Sequence, residues 1–170
     1  TVRSIMGENA ILRVDANGAW TLDQAKHHLT ALEPLGVVSC EEPLVPRDWP
    51  GLAELRRSVS IPLMADESFV TQDDLEALIA HRAIDAVNIR LSKNGGLRPC
   101  LDFAAKAQAA GLWYQVGAHV GETAILSSAG RYLAAHLDAT RFIEGSFGTL
   151  LLSEDLSEQS IMFGKQGLAS

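Results

Sequence analysis

The feature that most constrains this chain is a regular spacing of polar residues. Asp15, Glu41, Asp66 and Arg90 each follow a short apolar run, and they are separated by 26, 25 and 24 residues. Segments in which apolar residues recur at helical spacing lie between the runs. This period predicts repeated strand–helix units. Strands that are apolar on both faces indicate a parallel sheet covered by helices, and so constant a period favours a barrel over an open sheet.

Six apolar runs are predicted to be strands. They are Ile11 to Val14, Val37 to Cys40, Leu63 to Ala65, Ala86 to Leu91, Trp113 to Val116, and Phe142 to Ile143. We therefore predict the α/β class and a partial TIM-type βα barrel. Its six parallel strands would occupy residues 1–149, and residues 150–170 would form a C-terminal tail.

A complete eight-stranded barrel needs about 250 residues, so we expect this 170-residue chain to be a fragment. The unpaired strand edges of an incomplete barrel favour association, and a homo-oligomer is expected. Helix starts are predicted at Thr21 and Thr71, and helix stops at Gly36 and Gly111.

Composition excludes several classes of protein. The net charge of −7 would repel nucleic-acid phosphates, and the basic residues do not cluster. The apolar runs are too short to span a bilayer and the N-terminus lacks the core of a signal peptide, so we expect a cytoplasmic protein with no membrane partner. Cys40 and Cys100 lie sixty residues apart without metal-binding spacing, which indicates two small buried residues.

Three acidic residues, Asp15, Glu41 and Asp66, are expected at the C-terminal ends of consecutive strands. In a βα barrel these ends share the rim where active sites lie. Each acid could instead cap the next helix or face water. Three carboxylates in the same register favour a common ion, and oxygen ligands suit a hard cation. We predict Mg²⁺, with Mn²⁺ as the alternative.

Longer motifs around these residues match a known family in order and spacing. The chain resembles the mandelate racemase and muconate lactonizing enzyme branch of the enolase superfamily. The motifs are Val-Asp-Ala-Asn-Gly-Ala-Trp from Val14, Glu-Glu-Pro-Leu from Glu41, Ala-Asp-Glu-Ser from Ala65, Ile-Arg-Leu-Ser-Lys-Asn-Gly-Gly from Ile89, Gly-Ala-His-Val-Gly-Glu-Thr from Gly117, and Phe-Ile-Glu-Gly from Phe142.

The resemblance implies removal of the proton α to a carboxylate, giving an enediolate that Mg²⁺ stabilises. It also implies that Asp15, Glu41 and Asp66 are the magnesium ligands. By the same resemblance Asn17 and Glu67 support the ligands or face the substrate, and Glu144 contacts a small carboxylate substrate.

The match breaks at the catalytic base. Arg90 stands where the muconate lactonizing group has a lysine, and arginine is a poor proton acceptor. His119 matches the histidine of the mandelate racemase group, although the aspartate that orients it there is absent. Lys93 lies three residues after Arg90 and could reach toward the rim as a replacement base, but its spacing predicts a loop position.

Two main hypotheses follow. The first is a Mg²⁺-dependent enzyme of the racemase, epimerase, cycloisomerase or dehydratase class, active in a full-length parent that supplies a Lys-x-Lys strand and a capping domain. The second is a catalytically inactive, self-associating metal-binding fragment or scaffold. A metal-dependent hydrolase on a similar barrel is a third, weaker alternative, and the Glu-Glu-Pro and Asp-Glu-Ser motifs argue against it.

Overall fold

A computed structural model describes residues 2–158. Strands and helices alternate along the chain. The strands are β1 (Leu12–Asp15), β2 (Val37–Glu41), β3 (Leu63–Ala65), β4 (Ala86–Ile89), β5 (Trp113–Val116) and β6 (Thr140–Ile143). The helices are α1 (Val2–Met6), α2 (Leu22–Leu32), α3 (Trp49–Ser58), α4 (Gln72–His81), α5 (Leu91–Asn94), α6 (Leu97–Ala109), α7 (Ala124–Ala135) and α8 (Gly148–Leu151), with a 3-10 turn at Glu33–Leu35.

The six strands belong to one sheet whose order follows the chain, from β1 to β6. The pairs β1–β2, β2–β3, β3–β4 and β5–β6 are parallel. Each strand is joined to the next through helix, as parallel strands require. These observations confirm the predicted α/β class and the six parallel strands alternating with helices of a TIM-type barrel.

The chain divides into two compact units between Val87 and Asn88. The core of the first unit includes Leu29, Leu55 and Phe69, each fully buried. The core of the second includes Ile89 and Leu133, also fully buried. Every residue of β4 is buried, whereas residues of β1 and of β6 alternate between half-buried and exposed. This alternation is typical of edge strands, and β1 and β6 are the first and last strands of the sheet.

The predicted helix signals are confirmed. The Thr21 hydroxyl accepts the Gln24 amide hydrogen, and Thr71 does the same for Asp74, so each threonine forms a capping box at the start of its helix. Gly36 ends the 3-10 turn in the left-handed region, with φ of 66°.

Strand β4 is shorter than predicted. The Arg90 carbonyl accepts hydrogen bonds from the amides of Lys93 and Asn94, and the Asn94 side chain accepts the Arg90 amide hydrogen. These bonds start a helical turn at Leu91, which the sequence assigned to the strand. Lys93 therefore lies in α5, and its predicted loop position is corrected.

Both cysteines are buried and free, as expected. Burial raises the pKa of Cys40 to about 12, with a further contribution from the nearby Asp15, Glu41 and Glu42 carboxylates, and raises that of Cys100 to about 11. Both thiols therefore stay protonated at neutral pH, which makes them poor nucleophiles.

None of the helices among residues 2–158 combines the length and the apolar composition needed to cross a membrane. The predicted tail begins within α8 and is described as far as residue 158. Residues 159–170, including its apolar segment Ile161 to Phe163, lie outside the described part of the chain.

Candidate active site

The three predicted metal ligands lie at the C-terminal ends of adjacent parallel strands in the first unit. Asp15 and Glu41 are direct register partners, and Glu41 is also the partner of Met64. Asp66 follows Met64 by two residues and is the first residue beyond β3. Glu41 and Asp66 are buried, with exposures of 7% and 1%, whereas Asp15 is exposed.

The side chains of residues 2–158 do not form a ready-made metal site. No group of three His, Cys, Asp or Glu side chains in this part of the chain converges closely enough to hold a metal. The donor chemistry still fits a hard dication, because oxygen ligands from three carboxylates suit such an ion, and neighbouring strands lie about 4.8 Å apart. The structure thus places the three carboxylates at or directly after the ends of adjacent strands. Their assignment as ligands remains a prediction.

The residues predicted to support these ligands occupy turns next to them. The Asn17 amide donates a 2.9 Å hydrogen bond to the Asp15 carboxylate, and Asn17 adopts a left-handed conformation with φ of 46°. The exposed Glu67 lies between Asp66 and Ser68 in the turn after β3. Asn17 therefore touches a predicted ligand through its backbone, and the roles of both side chains remain predictions.

A buried carboxylate that we did not assign to the site lies beside these ligands. Glu42 is 1% exposed, and its Oε2 accepts the amide hydrogens of Asp66 and Ser68 at 2.7 and 3.1 Å. The Ser68 hydroxyl donates to Oε1. Burial raises the pKa of Glu42 above its ordinary value, the hydrogen bonds from Ser68 and Asp66 oppose this, and the Glu67 carboxylate adds to it. The acidic doublet Glu41-Glu42 was the available sequence signal, since a second acid there needs a hydrogen-bonding partner or a cation.

An ion pair joins the loop that follows β2 to the first turn of α4. Arg47 donates to both carboxylate oxygens of Asp74, at 2.9 and 3.2 Å, and its amide donates to the Ser68 hydroxyl at 2.9 Å. Burial alone would raise the pKa of Asp74, but the hydrogen bonds from Arg47, Thr71 and Val70 outweigh it and lower that pKa. A charged contact with the largely buried Asp74 thus holds the loop after β2 against the start of α4.

In the second unit, the predicted basic residues stand at the end of β4. Arg90 is half-buried and is the first residue beyond the strand. The Lys93 ammonium donates a 2.8 Å hydrogen bond to the carbonyl of Asn88. This bond holds Lys93 against the strand end.

His119 and Glu144 follow β5 and β6. His119 is exposed, and its amide donates to Oε1 of Glu122 at 2.9 Å. Glu144 is half-buried and accepts a 3.3 Å hydrogen bond from Gln115. Glu122 and Glu144 line a cavity of about 30 Å³ with Ser127 and Ser146, which is enough space for about one water molecule. His119, Arg90 and Lys93 are not part of its lining.

Comparison with known proteins identifies the family. The family model described as "Enolase C-terminal domain-like" matches residues 1–167. The chain belongs to this family. Within it, the relatives place the chain in the mandelate racemase and muconate lactonizing enzyme branch of the enolase superfamily, as the motifs predicted.

Two curated relatives and one solved structure show the range of this branch. A D-Ala-D/L-Ala epimerase from Cytophaga hutchinsonii is 38% identical over 116 residues, which are 68% of this chain and 32% of the relative. A chloromuconate cycloisomerase from Cupriavidus pinatubonensis is 30% identical over 159 residues, 94% of this chain and 42% of the relative. The crystal structure of a dipeptide epimerase from Cytophaga hutchinsonii, complexed with Mg and the dipeptide D-Ala-L-Val, has a TM-score of 0.88 at 31% identity, covering 98% of this chain and 45% of that one.

The chain thus spans less than half the length of these enolase-superfamily relatives. They are epimerases and cycloisomerases, and an N-succinyl-L-Arg/Lys racemase from Bacillus cereus is also similar. The relatives thus share isomerase-type names, while their named substrates differ.

Proposed function

We propose that this chain is part of an enzyme that removes the proton α to the carboxylate of a small substrate, in a Mg²⁺-dependent reaction of the isomerase or lyase type. One observation supports this most strongly. Asp15 and Glu41 are register partners at the ends of β1 and β2, and Asp66 directly follows β3, within a chain of the enolase superfamily.

Asp15, Glu41 and Asp66 would hold the magnesium ion, and Mn²⁺ could replace it. When bound, the dication supplies positive charge that stabilises negative charge developing on the substrate carboxylate. Arg90 would present its planar guanidinium to a carboxylate, and because arginine stays charged at every accessible pH, it would bind an anion rather than accept a proton.

His119 and Glu144 are the other proposed substrate-side groups. An exposed imidazole can both accept and donate a proton, so His119 is the better candidate for proton transfer. Glu144 is half-buried with Gln115 as its partner, a position suited to orienting a substrate. We propose a dipeptide as the first substrate to test, because related solved structures contain Mg with a dipeptide.

A metal-binding scaffold without activity is the second candidate. The residues at the end of β4 favour it for the chain alone, since Arg90 is a poor base and the Lys93 ammonium is bonded to the Asn88 carbonyl. Under either proposal we expect self-association, which sedimentation at micromolar concentration would measure.

The test is solvent exchange of the α-proton. Dipeptides would be incubated in deuterated water with Mg²⁺ and either the chain or a longer native protein that contains it, and α-deuteration followed by NMR. We expect exchange that falls at least about 100-fold in Asp66→Asn. Asp73→Asn, which removes an exposed carboxylate on α4, is the matched control and should leave the rate unchanged. Equal exchange in Asp66→Asn, or exchange in excess chelator, would refute the metal-dependent reaction.

Calorimetric titration of Mg²⁺ into the chain separates the two candidates. Binding with exchange supports the enzyme, and binding without exchange in any form of the protein supports the scaffold. Absence of saturable binding in the wild-type chain would contradict both.

A further inference from the structure

Glu42 connects the three strand ends that carry the proposed metal ligands. Its amide donates to the Met64 carbonyl at 2.9 Å, and its carbonyl accepts the Gly18 amide hydrogen at 2.7 Å. Gly18 lies in the loop that follows Asp15, and Met64 lies two residues before Asp66. The main chain of this one residue is therefore bonded to both neighbouring segments.

The side chain of Glu42 adds a second set of bonds to the loop after β3. Oε2 accepts from the amides of Asp66 and Ser68, and Oε1 accepts from the Ser68 hydroxyl. Ser68 is itself fully buried and accepts the Arg47 amide hydrogen. Because the Asp66 amide is held at 2.7 Å, the peptide that orients the Asp66 side chain is fixed by the Glu42 carboxylate.

Both oxygens of the Glu42 carboxylate already accept hydrogen bonds, from three donors in all, and Glu42 is 1% exposed. Binding a metal would require breaking these bonds and leaving buried amides unsatisfied. The arrangement suits a carboxylate that holds a neighbouring metal ligand in position without contacting the ion. Partners of this kind commonly change metal affinity 10- to 100-fold when they are removed.

We propose that Glu42 is a positioning residue of the metal site, which fixes Asp66 through its backbone amide and does not contact the ion. This inference rests on the proposed function, since it assumes that Asp66 binds a metal. It predicts that hydrogen-bond acceptance at position 42 matters more than negative charge. A glutamine can still accept both amides through its carbonyl oxygen, and the Ser68 hydroxyl can rotate to accept from the new amide group.

The experiment measures Mg²⁺ affinity by calorimetry and Mn²⁺ affinity by electron paramagnetic resonance in the wild type, Glu42→Gln and Glu42→Ala. We expect Glu42→Gln to bind nearly as tightly as the wild type and Glu42→Ala to bind at least about 10-fold more weakly. Glu76→Gln, on the exposed face of α4, is the control for a change of charge and should bind like the wild type.

A second measurement separates positioning from general destabilisation. Amide hydrogen exchange in the metal-free protein should be faster at Asp66 and Ser68 in Glu42→Ala than in Glu42→Gln, with other core amides unchanged. Should Glu42→Ala fail to fold, Ser68→Ala removes only the hydroxyl of the same network, and we expect it to weaken metal binding by about 3- to 10-fold.

The outcomes distinguish this proposal from the proposed function. If the wild type binds metal and Glu42→Ala, or in its place Ser68→Ala, binds equally well, the positioning role is wrong while the metal site stands. If Glu42→Gln loses as much affinity as Glu42→Ala, Glu42 acts through its charge or as a ligand, and the proposal is again wrong. If the wild type binds no metal, the proposed function fails and the positioning role fails with it.

Discussion

The close approach of Gly117 to a buried side chain in the second unit gives a quantitative prediction. Gly117 follows β5, and its amide donates a 2.8 Å hydrogen bond to the Ile89 carbonyl. A Cβ added at this position would lie 2.1 Å from the side-chain oxygen of Asn88 and 2.9 Å from its Cγ. Asn88 is fully buried, so its amide cannot swing into solvent to make room. Gly117→Ala should therefore force the strand end or Asn88 to move.

The magnitude follows from two opposing effects. The shortest contact lies more than 1 Å inside the 3.4 Å at which ordinary van der Waals contact begins. Overpacking of a tight core costs about 1–3 kcal/mol, and a displacement this large belongs at the upper end. Replacing glycine by alanine also lowers the conformational entropy of the unfolded chain, which stabilises the folded state by about 0.4–1 kcal/mol. We expect a net loss of about 2 kcal/mol, which lowers the Tm by about 4–8 °C for a chain of this size.

Urea and thermal unfolding of Gly117→Ala would measure the loss. Gly130→Ala is the matched control, because Gly130 lies within α7 with no atom in reach of an added Cβ. It should stabilise the chain by up to about 1 kcal/mol through helix propensity. The clash is isolated by repeating Gly117→Ala in an Asn88→Ala background, where most of its cost should vanish. An equal cost in both backgrounds, within about 0.5 kcal/mol, would show that the Asn88 amide is not the cause.

Three further predictions concern charged groups that fasten turns and helix ends. Arg3→Met should cost about 1–2 kcal/mol, measured by urea unfolding, because the guanidinium donates to the carbonyls of Leu35, Gly7 and Ala10 at 2.8 Å. Asp74→Asn should cost about 1–3 kcal/mol at pH 7. The folded pKa of Asp74 lies below its ordinary value of 3.8, so this stabilisation is complete above about pH 4 and is lost as the pH falls through the folded pKa. The free energies of unfolding of wild type and variant should therefore converge in acid. Asp155→Ala should cost about 0.5–2 kcal/mol in thermal unfolding, because this carboxylate accepts the first amide hydrogen of α7, at 2.9 Å.

Each of these has an exposed counterpart of the same residue type or charge. Arg98→Met removes an exposed guanidinium, Asp73→Asn an exposed carboxylate on the same helix as Asp74, and Glu154→Ala the acid next to Asp155. Losses in these controls equal to those of the buried or bonded groups would mean that net charge, rather than the described hydrogen bonds, determines the effect.

The strand pattern of this chain was predictable because it depends on local and periodic information. Buried parallel strands need apolar side chains on both faces, and the constant 24- to 26-residue period reflects one strand, one helix and two short connections. Thr21 and Thr71 were predictable as caps for the same reason, since their partners lie three residues away.

Contacts between loops could not be predicted in this way. The bonds from Glu42 to Asp66 and Ser68 span 24 and 26 residues, and the ion pair of Arg47 with Asp74 spans 27. Their existence depends on which loops become neighbours and on the left-handed conformations of Glu42 and Arg47, with φ of 33° and 69°. No local pattern encodes those angles for a glutamate or an arginine. The motifs thus indicated the candidate carboxylates, but not the groups that hold them.

The chemistry of the strand-end residues limits how the proposed proton transfer could proceed. Arg90 is a poor base, and the Lys93 ammonium is engaged in a hydrogen bond to the Asn88 carbonyl. His119 is exposed, and its hydrogen bonds with Glu122 are made by its backbone amide and carbonyl. Of the residues proposed here, His119 is therefore the remaining candidate for the group that transfers the proton. A reaction that needs two bases would require a second from outside the residues assigned to the site.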